Sequence, residues 1–240
     1  FPAQNALVAQ QYMMRYNVKE NDLALVALKN HENAFDNPKA RFYQKKVTMD
    51  MIRKSPVVAS PLRLFDCSIS VDGAAAAIIS QDKTDIEIVG SSLYASRLPT
   101  FESKDMTTWE ATTLAAKDAY EEASLTPKDI DFAELHDAFT PIELMSYEDL
   151  GFAKKGHGKD MIRKGATKLN GKLPVNTSGG LKAKGHPISA TGVSQIYEIT
   201  QQMRKQAGKR QIGKTRVGLA HNVGGAGSTA TVHIFKNLGG

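Results

Sequence analysis

Cysteine is almost missing from this chain of 240 residues, where Cys67 stands alone. That excludes an internal disulfide and a cysteine metal cluster, and it predicts a reducing, cytoplasmic setting. No stretch approaches the ~20 consecutive apolar residues of a membrane span. No basic segment followed by an apolar run opens the chain as a secretory leader would. Short-period repeats and low-complexity tracts are also absent. Phe1 stands where an initiator Met would, so we expect a chain that is processed, cut or missing its start. Basic residues outnumber acidic ones, 31 to 25, giving a formal net charge of +6. This points to a polyanionic ligand, either nucleic acid or a phosphorylated small molecule. The basic residues are dispersed and no basic stripe interleaves with aromatics, which makes nucleic acid the weaker reading. The rest, 41% apolar and 23% charged, suits a globular chain with a real core.

The periodicities predict the elements in order. Residues 3 to 16 lack breakers and read as a helix ended by Asn17, and Asn21 and Asp22 open a second one to about Glu32. Thr48 starts a short helix that Ser55-Pro56 closes. His31 lies on the helical hairpin, where a surface or packing role is expected over catalysis. Residues 64 to 80 change character: Asp72-Gly73 reads as a turn and the small apolar run after it as a buried strand. Ile86, Ile88 and Val89 mark another strand. Thr107 and Glu110 have capping-box spacing before a helix whose face holds Trp109, Thr113, Ala116, Tyr120 and Ala123. A strand over 131 to 135, a helix over 141 to 150 and a loop at His157 follow. Strands at 216 to 220 and 229 to 235 end the chain, joined by the glycine-rich His221-to-Gly227 segment. Alternating strands and helices of this kind make an α/β layered unit.

The centre of the sequence is the stretch from Pro174 to Gly192. Its glycines let backbone come close to a ligand or turn sharply. Gly180 and Gly185 have the glycine spacing of a phosphate loop, but His186-Pro187 follows where Lys-Ser/Thr is required. Pro187 suits a first helical residue, with Gly208 as the residue just beyond that helix. His186 would then sit at a helix N-terminus, where neutral imidazole is favoured and is a ready base. The competing reading is a glycine-rich loop with a capping His. His136 and His221 each follow a strand, the place where ligand groups collect in α/β folds. A three-His zinc site competes here, although no paired spacing supports it.

Asn176-Thr177-Ser178-Gly179-Gly180, then Gly185-His186-Pro187 and Ala190-Thr191-Gly192, closely resemble the C-terminal half of thiolases. His136-Asp137-Ala138-Phe139 resembles another thiolase block, in the form typical of the sterol-carrier-protein-like and archaeal branch. Cys67-Ser68 through Asp72-Gly73-Ala74-Ala75-Ala76 resembles the last strand of the thiolase N-terminal half. The resemblance covers essentially the whole chain. It implies a layered α-β-α-β-α thiolase fold with a mixed five-stranded sheet in the C-terminal half. Its division would be a helical loop domain over 1–63, the last strand of an incomplete N-terminal half over 64–84, and the C-terminal domain over 85–240.

The same resemblance implies roles. His186 would activate a nucleophilic cysteine and donate to an oxyanion hole for the thioester carbonyl, which His136 would complete. The turn from Gly224 to Gly227 would supply backbone to a second oxyanion hole. Ser68, Asn222, Gly224 and Gly225 would lie along bound coenzyme A. A Claisen condensation needs two oxyanion sites and a base. His221-Asn222 replaces the family's second cysteine, which makes His221 the candidate for the α-proton base. The nucleophilic cysteine belongs to the N-terminal half, and nothing in the Asp66-Cys67-Ser68 setting marks a lowered thiol pKa. We therefore expect a Cys-bearing half outside this chain, in a homo- or hetero-oligomer. Coenzyme A thioesters are the expected substrates, with no permanently bound cofactor and no metal. Relatives of this branch work with a zinc-ribbon/OB-fold acyl-CoA-binding protein and with hydroxymethylglutaryl-CoA synthase. Two other readings remain: a thiolase-like aldolase acting on a CoA ester, and a non-catalytic scaffold half.

Overall fold

The structure, a computed structural model, describes residues 1–97 and 103–239. Its first part is helical. Helix α1 (Pro2–Tyr16) ends where Asn17 adopts φ 53°, the left-handed conformation an Asn tolerates. Helix α2 (Glu20–Phe35) is opened by the Asp22 carboxylate, which accepts from the Lys19 N–H at 2.8 Å and is gripped by Arg163 through two bonds of 2.7 Å. Helix α3 (Met49–Lys54) is capped by the Thr48 hydroxyl and stops at Ser55, as expected. Strands β1 (Val57–Ala59) and β2 (Leu62–Arg63) form a small antiparallel ribbon. His31 is buried against Phe42 and Phe65, its Nδ1 bonded to the Ala27 carbonyl at 2.8 Å, which fulfils the packing role.

The second part is a mixed sheet in the order β3 (Ile86–Ala95), β6 (Thr229–Asn237), β5 (Val217–Gly224) and β4 (Phe132–Glu134). Only β4 and β5 run parallel. The fifth position expected of this sheet is filled by a single parallel bridge from Val175 to Ala133. Pro174 has no N–H to extend that ladder, and Asn176 at φ 54° turns the chain away. Alternation along β5 divides the core. Val217, Leu219 and Val223 join the alanines of helix α4 (Glu110–Ala123) on one face. Ala220 joins Ile199 and Met203 of helix α8 (Thr191–Met203) on the other. The described residues thus build a helix–sheet–helix sandwich, part of the expected five-layer stack. Helix α5 (Thr140–Asp149) is buried at every position; short helix α6 (Gly158–Arg163) packs on it, and short helix α7 (Gly180–Ala183) packs on α2. On the free side of β3 the Ser91 N–H is taken by the Glu122 carboxylate of α4 at 2.7 Å. No helix among the described residues is long and apolar enough to cross a membrane.

Several expectations are corrected. The apolar run after Gly73 is not a buried strand: it pairs with no strand among the described residues, and Ile78 is 99% exposed. A strand of this composition needs a sheet to lie in, and the sheet built here closes its ladders without it. The Thr107–Glu110 capping box does not form. Thr107 donates to Asp105, while Asp149 from α5 accepts from both Thr108 and the Trp109 N–H. Helix α8 starts at Thr191, not Pro187, because Ser189 at φ 78° breaks the helical path between them. Its end is set by Lys205 at φ 58° before Gly208 is reached. His221 lies inside β5, which runs on to Gly224, so the connecting turn is only residues 225–228.

The helical first part is fastened to the sheet through α2. Lys29 is 1% exposed, pairs with Glu143 of α5 at 2.6 Å and donates to the Val175 carbonyl at 2.8 Å. Asn30 donates to Asp137 and Glu143, and Asn33 to the Asn176 carbonyl. Removing one partner of such a buried pair leaves a charge stranded in a poor solvent for it. Lys29→Met should therefore cost about 3–5 kcal/mol in urea denaturation. Lys168→Met, which breaks the exposed pair with Glu32, should cost under ~1 kcal/mol. Equal small losses would remove α2 as the fastening point.

Candidate active site

The site is built around a connecting segment with little secondary structure of its own. Residues Asp66 to Val71 thread between two blocks distant in sequence. On one side Cys67 bridges Phe139, and the Ser68 N–H donates to the Ala138 carbonyl at 2.8 Å. On the other side Ser70 bridges His186, whose N–H donates to the Ile69 carbonyl at 2.8 Å. The segment therefore stitches the His136 block to the His186 block. The two rings meet edge to face with centroids 5.3 Å apart and planes at 89°. Lys182 and Thr140 hold the segment from below, on the Asp66 carbonyl and carboxylate respectively, each at 2.8 Å.

Asp137 points away from this pair and locks the glycine-rich stretch. It accepts from the Leu181 N–H at 2.7 Å, from the Lys182 N–H at 3.3 Å and from Asn30 at 2.8 Å. Gly180 has φ 62°, and a methyl there would collide with the Asp137 carboxylate. Glu134 performs a similar task one turn earlier, accepting from the Ser178 N–H and from the hydroxyls of Thr177 and Ser178.

Both site imidazoles are neutral at neutral pH. Burial, then the neighbouring His186 and His221, holds the His136 pKa well below the ordinary value. Burial, then Lys184, lowers that of half-buried His186. A neutral imidazole has one nitrogen free to accept a proton. His186 Nδ1 lies 2.8 Å from the Thr191 hydroxyl, and His136 Nδ1 is buried without a hydrogen-bond partner in the described residues.

The other candidates are placed as follows. Ser68 is half-buried beside the His136 block. His221 is fully enclosed, its Nε2 3.0 Å from the Thr112 hydroxyl of α4, and burial pushes its pKa down to about 3. Asn222 faces the opposite layer and donates to Gln195 of α8 at 2.9 Å. Gly224 closes β5 opposite Thr229, and Gly225 opens the turn at φ 43°. The structure thus brings His136 and His186 together and holds His221 in the core between strand and helix. Burial raises the Cys67 thiol pKa, the reverse of what a nucleophile needs. His157 is an exposed partner of Asp160. Among the described residues no group of three or more His, Cys, Asp or Glu is arranged to hold a metal ion. The sequence reading gave no role to Asp137, Lys182 or Thr191. For Thr191 a signal existed, a hydroxyl residue five positions after His186 at the start of an apolar-periodic helix.

A family model described as Thiolase C-terminal domain-like matches residues 95–237. The chain belongs to the thiolase family. Within it, this thiolase chain is 43% identical over 243 residues to an acetyl-CoA acetyltransferase of Methanothermobacter thermautotrophicus, covering 98% of the chain and 63% of the relative. It is 36% identical over 239 residues to sterol carrier protein 2 of Rattus norvegicus, covering 95% and 43%. A solved structure titled Ltp2-ChsH2(DUF35) aldolase superposes with TM-score 0.87 at 26% identity, covering 100% of the chain and 64% of that one. An SCP2-thiolase-like protein type 1 from Mycobacterium smegmatis, at TM-score 0.70 and 15% identity, shares the fold. The thiolase chain spans less than two thirds of each of these proteins.

The enclosed His221 generates a pH test. Above pH ~6.5 it is neutral whether folded or unfolded. Below that, the unfolded chain takes up a proton that the folded chain refuses until about pH 3. Stability therefore falls with pH across this window, by about 1.4 kcal/mol per unit for this residue. The difference in unfolding free energy between the native chain and His221→Gln should decline with that slope in urea titrations. A flat difference would mean that His221 titrates normally.

Proposed function

We propose that this chain is the histidine-bearing part of a thiolase-type acyl-CoA C-acyltransferase of the acetoacetyl-CoA class. The observation that supports this most is the edge-to-face pair of His136 and His186, both kept neutral and both held by the 66–71 segment. In this reading a cysteine thiol, supplied by a segment outside this chain, gives its proton to His186. The thiolate attacks the carbonyl carbon of an acyl-CoA thioester. The resulting oxyanion is met by N–H donors of His186, now protonated, and of His136. Its collapse breaks the carbon–sulfur bond, and coenzyme A leaves as the thiol with the proton held by His186. A second thioester then gives its α-proton to His186, neutral again once coenzyme A has left, and the enolate attacks the acyl-enzyme carbonyl, forming the carbon–carbon bond. Collapse breaks the carbon–sulfur bond to the cysteine, and the cysteine thiolate takes the proton back from His186; thiolysis is the reverse. We assign His221 no proton transfer, because it is enclosed and engaged by Thr112.

The exposed run from Ala74 to Ile79 supports the second part of the proposal. It is the edge against which the Cys-bearing half of the N-terminal domain would pair, in a homo- or hetero-oligomer. On this reading residues 1–63 are the loop domain, and Ser68, Asn222, Gly224 and Gly225 lie toward the coenzyme A arm. A retro-aldol reaction on a CoA ester is the second reading, favoured by the likeness to the structure whose title names an aldolase with a DUF35 component. The DUF35 component in that title favours a partner protein; on the family resemblance alone, we take that partner to be a zinc-ribbon/OB-fold protein, hydroxymethylglutaryl-CoA synthase to be a further associate, and the cytoplasm to be the setting.

The test is the native particle, weighed intact and then assayed for acetoacetyl-CoA thiolysis before and after iodoacetamide. The expected result is a co-purifying reactive cysteine other than Cys67 and activity lost on alkylation. His186→Ala should lower the thiolysis rate by roughly 10²–10⁴-fold, the usual share of a general base. A particle that cleaves β-hydroxyacyl-CoA esters, does not thiolyse, and ignores iodoacetamide would establish the aldolase reading. A particle with neither activity would leave a scaffold.

A further inference from the structure

The Thr191 hydroxyl touches two acceptor-capable groups with one proton. Its Oγ1 lies 3.1 Å from the Pro187 carbonyl oxygen and 2.8 Å from His186 Nδ1. A carbonyl oxygen only accepts, so the Pro187 contact is a hydrogen bond only if the threonine proton points there. The same proton cannot also serve Nδ1. The Nδ1 contact is then a hydrogen bond only if the imidazole carries its own proton on Nδ1 and donates it to an Oγ1 lone pair. One proton arrangement satisfies both contacts: Nδ1–H to Oγ1, and Oγ1–H to the Pro187 carbonyl. The opposite tautomer would press an imidazole lone pair against hydroxyl lone pairs, or leave the hydroxyl and carbonyl oxygens facing without a proton.

This relay is well fixed. Thr191 is 2% exposed and is the first residue of α8. The Pro187 carbonyl also accepts the N–H groups of Ala190 at 3.0 Å and Thr191 at 3.1 Å, so it is held in place by the turn that precedes the helix. Ser189 at φ 78° is what sets that turn. It leaves Thr191 beside the histidine, within hydrogen-bond reach of Nδ1.

We propose that Thr191 is the positioning residue that sets the His186 tautomer, placing the proton on Nδ1 and leaving the Nε2 lone pair as the proton-accepting atom. The consequence for chemistry rests on the thiolase reading above: Nε2 takes the thiol proton, and the resulting imidazolium keeps its Nδ1–H on Thr191 while it donates from Nε2. The tautomer itself does not depend on that reading.

The experiment uses the assembled particle with ¹⁵N-labelled histidine, with the His186 signals identified by their loss in His186→Gln. At pH 7.5 we expect a protonated Nδ1 and an unprotonated Nε2 in the native protein. Thr191→Val, close in shape but without the hydroxyl, should give a mixture of tautomers and lower kcat for thiolysis about 10- to 100-fold, the size of loss that follows removal of the partner orienting a metal-bound histidine, with KM nearly unchanged. Thr191→Ser should restore both the single tautomer and kcat. Nε2–H in the native protein, or a tautomer unmoved in a folded Thr191→Val, would overturn the proposal; the native measurement decides even if Thr191→Val fails to fold. A native protein with the expected tautomer but no thiolysis would leave the Thr191 assignment standing and remove the thiolase reading instead.

Discussion

Everything near the two histidines depends on a buried charge cluster beneath them. Lys29 and Lys182 sit among Asp137 and Glu143, all at 1% exposure or less. Burial lowers the Lys182 pKa and raises that of Asp137, and the opposite charges around each work against both shifts. Ions so placed are stable only because each finds several partners at once. The cluster joins four pieces of chain: helix α2, helix α5, the strand end at Val175 and the glycine-rich stretch at Gly180. Its contribution is positional. It fixes where Pro174 to Lys184 can lie, and therefore where His186 emerges.

Above the cluster the chemistry is set by burial and by threading. The 66–71 segment is held at each end by backbone hydrogen bonds to a different histidine block, so the ring-to-ring distance follows from main-chain geometry and not from side-chain contacts alone. Burial then keeps both rings uncharged. Two imidazolium ions this close would repel, and the site avoids this by making protonation of either one unfavourable. Asp137 belongs to the same motif as His136 but looks the other way, toward α7. One side of the His-Asp pair faces the site and the other anchors the loop that brings His186.

Much of this could be read from the sequence. The helices read at 3–16, from Asn21 to about Glu32 and from Thr48 to Ser55 followed from breakers and capping residues and match α1, α2 and α3 to within a few residues, and the strands read near 86, 131, 216 and 229 are present. The family resemblance rested on long contiguous motifs, and it pointed to His136 and His186 before their rings were seen to meet. What could not be read was non-local. The start of α8 at Thr191 depends on a left-handed Ser189, a conformation no propensity assigns to serine. The cap on Trp109 comes from Asp149, forty residues away. The run at 74–79 has the composition of a buried strand, but the described chain offers no sheet for it to lie in.

The contact between the Ser91 N–H and the Glu122 carboxylate has a consequence for self-association. An edge strand presents a row of N–H and C=O groups that a second chain can extend. Here the helix places a negative charge on that row, near its middle, so an incoming strand would have to displace an ion that already holds the donor. The sheet therefore carries a built-in barrier to edge-to-edge growth along this ten-residue strand.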